Sequence, residues 1–208
     1  DRLLAMSDSA AFFVSPPLRW EWRALNTPAE RIPSHGTDRF GQRYAFDFCQ
    51  TDEEGQRLYS GSTLKHFVWF KPADQFYCWG RPVFAAFGGI VVRATDGWAD
   101  RKRVNFLWEL LRANVLVRPP LPNAMGSLLG NYITIRGEVG VALYAHLQQG
   151  SISVREGETV IEGTLLGFVG NSGNTMMPHL HFHVMTDANI STADGVYCIQ
   201  NQNRHLGK

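Results

Sequence analysis

The chain has 208 residues, 44% hydrophobic and 12% aromatic, and a formal net charge of +1. That length can bury a sizeable core in one domain, while the near-neutral balance supplies no basic field for nucleic acid and no strongly charged face for a membrane surface. No run approaches the roughly 20 consecutive apolar residues of a spanning helix, and the apolar run at 10–14 is too short for a signal peptide and lacks its positive leading region. The chain starts at Asp1, so a leader removed upstream stays open and the compartment is not read from composition.

In chain order, Ser34-His35-Gly36-Thr37 comes first, followed by Tyr44-Ala45-Phe46-Asp47-Phe48. A carboxylate between large apolar residues is costly unless it is paired or metal-bound. Cys49, Cys78 and Cys198 are widely spaced with no CxxC pair, which predicts buried free thiols, with one disulfide plus one thiol as the alternative. Segments 67–70, 90–93, 132–136 and 141–144 are β-prone and punctuated by glycine turns at Phe87-Gly88-Gly89, Asp96-Gly97 and Arg136-Gly137, predicting an antiparallel sheet.

Between residues 100 and 117, Val104, Leu107, Trp108, Leu111 and Val115 recur at steps of mostly three and four before Pro119-Pro120, which predicts an amphipathic helix inserted against the sheet. Arg101-Lys102-Arg103 at its start reads as a solvated face rather than a nucleic-acid contact. His146 lies just after the 141–144 strand. Gly170-Asn171-Ser172-Gly173-Asn174-Thr175, with Pro178 beyond it, must form a tight loop.

From Pro178 to Met185 the alternation is strict, placing His179, His181 and His183 on one face of a strand and Leu180, Phe182 and Val184 on the other. Neutral imidazoles in a row are explained by a cation. Residues two apart on a strand stand roughly 6.5–7 Å apart, so neighbouring histidines can share one ion and the outer two cannot. His181 is common to every such arrangement. A catalytic zinc site needs three protein donors and an open position, and the other donors are available at His35, Asp47 and His146.

His35 with Asp47, then Arg81-Pro82-Val83-Phe84-Ala85-Ala86 leading to Gly88-Gly89-Ile90-Val91, Gly130-Asn131-Tyr132, Tyr144-Ala145-His146-Leu147, and Gly170-Asn171-Ser172-Gly173 before His179-Leu180-His181 together resemble the lysostaphin/LytM-type zinc metallopeptidases. The resemblance covers residues 34–185 with gaps. It implies a mainly β fold, a compact antiparallel β-sandwich or barrel-like LytM-type domain with a groove, filling one domain over 1–208 with the helical insertion at about 100–117. It implies Zn2+ held by His35, Asp47 and His181, with His146 and His179 as the catalytic pair. It further implies hydrolysis of short, often glycine-containing peptides, most commonly in bacterial peptidoglycan, and hence a periplasmic, cell-envelope or secreted location.

The pattern departs from the family in two places. The family usually spaces its first His and Asp four positions apart, whereas His35 and Asp47 are twelve apart, so the intervening residues must bulge and Asp38 becomes a rival ligand in a polar setting. His183 stands where the family usually carries an acidic residue, and reads as a group supporting the site or as a surface histidine. Stretches 50–80 and 96–130 exceed a minimal domain and are expected to wall the groove, with Trp69, Tyr77 and Trp79 as a candidate subsite or as core. His66 and His205 have no family counterpart. Two other readings compete. One is a non-catalytic zinc-binding module that binds or activates cell-wall hydrolases. The other is a cupin-like metal oxygenase, for which Asp187 would have to serve as the carboxylate after the HxH pair.

Overall fold

The computed structural model describes residues 12–61, 69–111 and 124–200. Its strands are β1 (Phe12–Val14), β2 (Arg23–Asn26), β3 (Phe46–Cys49), β4 (Lys71–Pro72), β5 (Pro82–Phe84), β6 (Gly89–Thr95), β7 (Arg103–Val104), β8 (Asn131–Gly137), β9 (Gly140–Leu147), β10 (Thr159–Val160), β11 (Leu165–Phe168), β12 (Leu180–Met185), β13 (Gly195–Val196) and β14 (Cys198–Gln200). Two short helices accompany them, α1 (Phe106–Leu111) and α2 (Ala124–Leu129).

The fold is mainly β, built on one eight-stranded antiparallel sheet in the order β10-β6-β8-β9-β12-β3-β2, with β13 also paired to β12. The order ends at β2 without returning to β10, so the sheet is open and does not close into a barrel. Strict alternation along the central strands gives the sheet two apolar faces. On one, Ile133, Ile135, Tyr144, Phe182 and Val184 pack with Val83 of β5 and Leu166 of β11. The β5–β11 pair thus forms the second layer, and the Ala86 amide donates to the Tyr144 hydroxyl at 2.8 Å to join the two. On the other face Val141, Leu143, Ala145 and Met185 pack with Leu129, Tyr132 and Ile190.

The expected strands at 90–93, 132–136 and 141–144 lie inside β6, β8 and β9. Of the expected strand at 67–70, residues 67 and 68 lie outside the described residues, and Trp69 and Phe70 precede β4 outside any strand. The expected helix at 100–117 starts later than expected, and 112–117 lie outside the described residues. Residues 103–104 are strand β7, paired with β4, and helix begins only at Phe106. The physical reason is competition, because the Arg101 and Asp100 side chains bind a distant loop and hold this stretch extended before the helical periodicity can act.

Candidate functional site

β3 and β12 are antiparallel neighbours in which Asp47 stands directly opposite His181. Both side chains therefore leave the same face, and His181 Nδ1 lies 2.9 Å from Asp47 Oδ1. His35 approaches from the preceding loop, its Nε2 2.9 Å from Asp47 Oδ2. One ligand atom from each of the three lies within 4.8 Å of the others. Two imidazole nitrogens and one carboxylate, two of them buried on a strand pair and the third half-buried on a loop, fit the donor set of a catalytic zinc site. Asp38 takes no part: it is exposed and pairs with Arg43.

The supports behind these donors set their tautomers. Ser34 Oγ lies 3.0 Å from His35 Nδ1 and 3.3 Å from the Gln42 carbonyl. A carbonyl only accepts, so the hydroxyl donates to Gln42 and accepts Nδ1–H from His35, leaving the Nε2 lone pair turned to the cluster. Asn26 on the edge strand β2 donates its amide to Asp47 Oδ2 at 2.7 Å. No feature of the sequence singles out Asn26; strand pairing, which sets it across from Asp47, puts it there.

His146 reaches the same pocket by breaking the regularity of β9. Its φ is 63°, a left-handed conformation that costs a non-glycine residue roughly 1–2 kcal/mol. The β8–β9 register slips at this point, from Ile133 facing Tyr144 to Asn131 facing Leu147, so β9 carries an extra residue. Such a bulge re-aims a side chain, and here it turns the imidazole from the core face toward His179, with ring centroids 4.8 Å apart. His146 Nδ1 donates to the Ser172 carbonyl at 2.9 Å. His179 Nδ1 donates to the Met177 carbonyl at 2.8 Å, and its Nε2 lies 3.3 Å from Asp47 Oδ1. Both rings are thus anchored through Nδ1–H, and both present Nε2 to the pocket.

The electrostatics separate these groups. Burial pushes the Asp47 carboxyl up, but the surrounding His179, His181 and His35 outweigh it and hold it well below the usual carboxylate range. Burial, reinforced by His179 and His181, holds His146 well below an ordinary histidine. Burial also opposes charge on His179, yet Asp47 outweighs it and raises that histidine. Burial lowers His181 and, more strongly, His183.

The loop that anchors the two Nδ1–H groups is itself clamped from the insertion. Asp100 accepts the Asn171 amide at 2.7 Å and the Gln149 amide at 2.8 Å. The Arg101 guanidinium donates to the carbonyls of Gly173 and Thr175, and its Nε pairs with Glu109, 1% exposed, at 3.2 Å. The basic run is therefore not a uniformly solvated face: Arg101 turns inward while Lys102 and Arg103 stay exposed. A run of three cations carries no mark of which one is buried. Gly130 and Gly173, both left-handed, meet closely beneath the loop, where a Cβ on Gly173 would fall 2.3 Å from the Gly130 nitrogen.

Residues 121–193 match peptidase family M23. The match supports the LytM-type resemblance and takes in His146, His179 and His181; His35 and Asp47 lie before it. Among solved structures the chain is similar to lysostaphin, the antimicrobial peptidase from Staphylococcus simulans, at 22% identity and a TM-score of 0.39 over 72% of this chain and 39% of that one. It is similar to the catalytic domain of the prophage-encoded M23 protein EnpA from Enterococcus faecalis at 15% identity and a TM-score of 0.41 over 91% of each chain. Helicobacter pylori Csd3 is matched at 17% identity and a TM-score of 0.45 over 92% of this chain and 34% of that one. The chain thus spans well under half of the lysostaphin and Csd3 chains. No curated protein is matched by the sequence.

Around these histidines lies a groove of about 250 Å3 walled by Leu25, Leu128, Leu129, Met176 and Met177. Of the two long stretches expected to wall it, 96–130 contributes Leu128 and Leu129 and 50–80 contributes none among the described residues. Tyr77 and Trp79 line a different concavity with Asp74 and Arg81, and Trp69 is 71% exposed. Asp187, the carboxylate a cupin-like site would need, is exposed and caps the Asn189 amide at 2.9 Å. His183 is not a surface histidine, since it is fully buried. The three cysteines are buried free thiols. His66 and His205 lie outside the described residues, and no helix among the described residues is long and apolar enough to cross a membrane.

Proposed function

We propose that the chain is a zinc-dependent metalloendopeptidase, with the cation held by His35, Asp47 and His181 and proton transfer carried by His146 and His179. Its substrates are short peptide bonds of the kind that cross-link bacterial peptidoglycan, which places it in the periplasm, at the cell envelope or outside the cell. The observation that supports this reading is convergence: three ligand atoms within 4.8 Å of one another, and two further Nε2 atoms with assigned tautomers lining the same groove.

A zinc ion bound there would supply Lewis acidity, polarising a scissile carbonyl and lowering the pKa of a water beside it. Asp47 provides the negative charge that balances the cation. His146, kept neutral by its surroundings, offers Nε2 as the acceptor for the proton of the attacking water and returns it to the leaving amine. His179, its Nδ1–H held by the Met177 carbonyl, turns Nε2 toward the same space, where it orients the attacking water or the oxygen on which charge develops. Leu25, Leu128 and Leu129 exclude water beside the reacting bond, and a groove this small suits a peptide with small side chains, such as glycine.

Metal content and hydrolysis of peptidoglycan and oligoglycine, measured on the same preparations, test the reading. Near-stoichiometric zinc is expected in the wild type, His146→Gln and Asp38→Ala, and its loss in His181→Ala and Asp47→Ala. Hydrolysis should vanish wherever zinc does and fall about 10^2- to 10^4-fold in His146→Gln. Zinc without any wild-type hydrolysis turns the reading to a binding module, and no specific metal removes it.

A further inference from the structure

The two departures from the family pattern meet in one place. The extra residues between His35 and Asp47 form a 3-10 turn, Arg39–Tyr44, that packs against β12. Its Gly41 has a φ of 69°, and a Cβ there would stand 2.8 Å from the Met185 Cβ and 3.4 Å from His183 Nε2. The turn backbone therefore lies directly on His183. The same turn supplies the Arg43 and Gln42 carbonyls that hold Ser34, and through it His35.

His183 is fully buried, with Nδ1 3.1 Å from His181 Nε2 and with the Phe40 main chain of the turn placed to accept from the ring. Burying a polar imidazole is unfavourable unless its nitrogens find partners, and an apolar side chain would fill the space without that cost, so packing alone gives no reason for it. The contact to His181 does. His181 turns Nδ1 toward Asp47 and the cluster; with that lone pair given to a cation, its proton must sit on Nε2, and the atom facing Nε2 is His183 Nδ1.

We infer that His183 is a positioning residue for the cation site, accepting Nε2–H from His181 at its own Nδ1 and so holding the tautomer and ring orientation that aim His181 Nδ1 at the cation. The inference rests on the reading that His35, Asp47 and His181 hold a cation. The 39–44 turn closes over this pair and keeps water from competing for the hydrogen bond. A neutral acceptor here adds no second negative charge behind Asp47.

Zinc affinity of the full chain, measured by chelator competition for wild type, His183→Leu and His183→Gln, tests this, together with the imidazole 15N shifts of the zinc-loaded wild type. His183→Leu should bind zinc about 10- to 100-fold more weakly. His183→Gln, whose amide oxygen accepts the same hydrogen, should recover most of the loss. In the loaded wild type His183 should carry its proton on Nε2 and none on Nδ1, with the His181 proton on the Nε2 that faces it, a matched pair that mere packing would not set and that needs no variant to fold. Equal affinity in all three proteins, or a proton on His183 Nδ1, overturns this inference alone. A wild type that takes up no zinc overturns it together with the reading it rests on.

Discussion

The two halves of the site are held in different ways. His146 and His179 are anchored to main-chain carbonyls, those of Ser172 and Met177, the second shared with the Thr175 hydroxyl, whereas His35, Asp47 and His181 are anchored to side chains alone, those of Ser34, Asn26 and His183. A carbonyl can only accept, so the first pair keeps its tautomer whatever residues make the loop, provided the loop stays in place. Side-chain anchors can be exchanged one at a time, and there this chain has its own solution. Damage to the loop should therefore appear in turnover and stability, and damage to the anchors in cation affinity.

The largest effect is expected at the loop clamp. Arg101→Met removes a partner of a buried carboxylate and two donors to the 173–175 carbonyls, and should destabilise the fold by about 3 kcal/mol in chemical denaturation. The double variant Arg101→Met/Glu109→Leu should regain part of that, because the buried charge goes with its partner. Zinc affinity of the folded fraction should stay near wild type while kcat falls; a fall in affinity equal to that in kcat would erase the distinction between the halves.

Next in size is acid sensitivity of the metal-free protein. His146 and His183 are both depressed well below the ordinary histidine value by burial. Below the unfolded value of about 6.5 the unfolded chain binds more protons than the folded one, so stability is fully present above that pH and falls as pH falls, by up to about 1.4 kcal/mol per unit for each group. Melting between pH 7 and 5 stays clear of the Asp47 carboxylate, whose contribution is lost only in stronger acid. The Tm should drop across this window, less steeply in His183→Leu, and an identical slope in that variant would count against the buried neutral imidazole.

The smallest effect is expected at a single anchor. Ser34→Ala removes the hydroxyl that receives His35 Nδ1–H and should weaken zinc binding by about tenfold, leaving stability within about 1 kcal/mol. A tenfold loss of kcat with zinc binding unchanged would place Ser34 on the wrong side of the comparison.

Much of this was legible because strand geometry is periodic. PHLHFHVM could only put its histidines on one face and Leu180, Phe182 and Val184 on the other, and the structure does both. Asp47 stood out as a carboxylate among aromatics, an unfavourable setting without compensation. The insertion begins as strand rather than helix, because apolar spacing says nothing about which polar side chains find partners 72 residues away, as Arg101 does. His146 looked like the end of a strand, and only the register slip against β8 shows why it faces the pocket.

Local chemistry in the chain itself thus determined the class of fold, the histidine face and the types of donor on offer, since alternation, turn residues and the cost of a buried charge act over a few residues. Tertiary structure decided the rest. Asp47 rather than Asp38 meets the imidazoles because β3 pairs with β12, His146 reaches them because β9 bulges, and His183 lies behind His181 under the 39–44 turn. Each of these depends on contacts between segments far apart in the chain, and residue spacing does not encode which distant partner a strand or loop will meet.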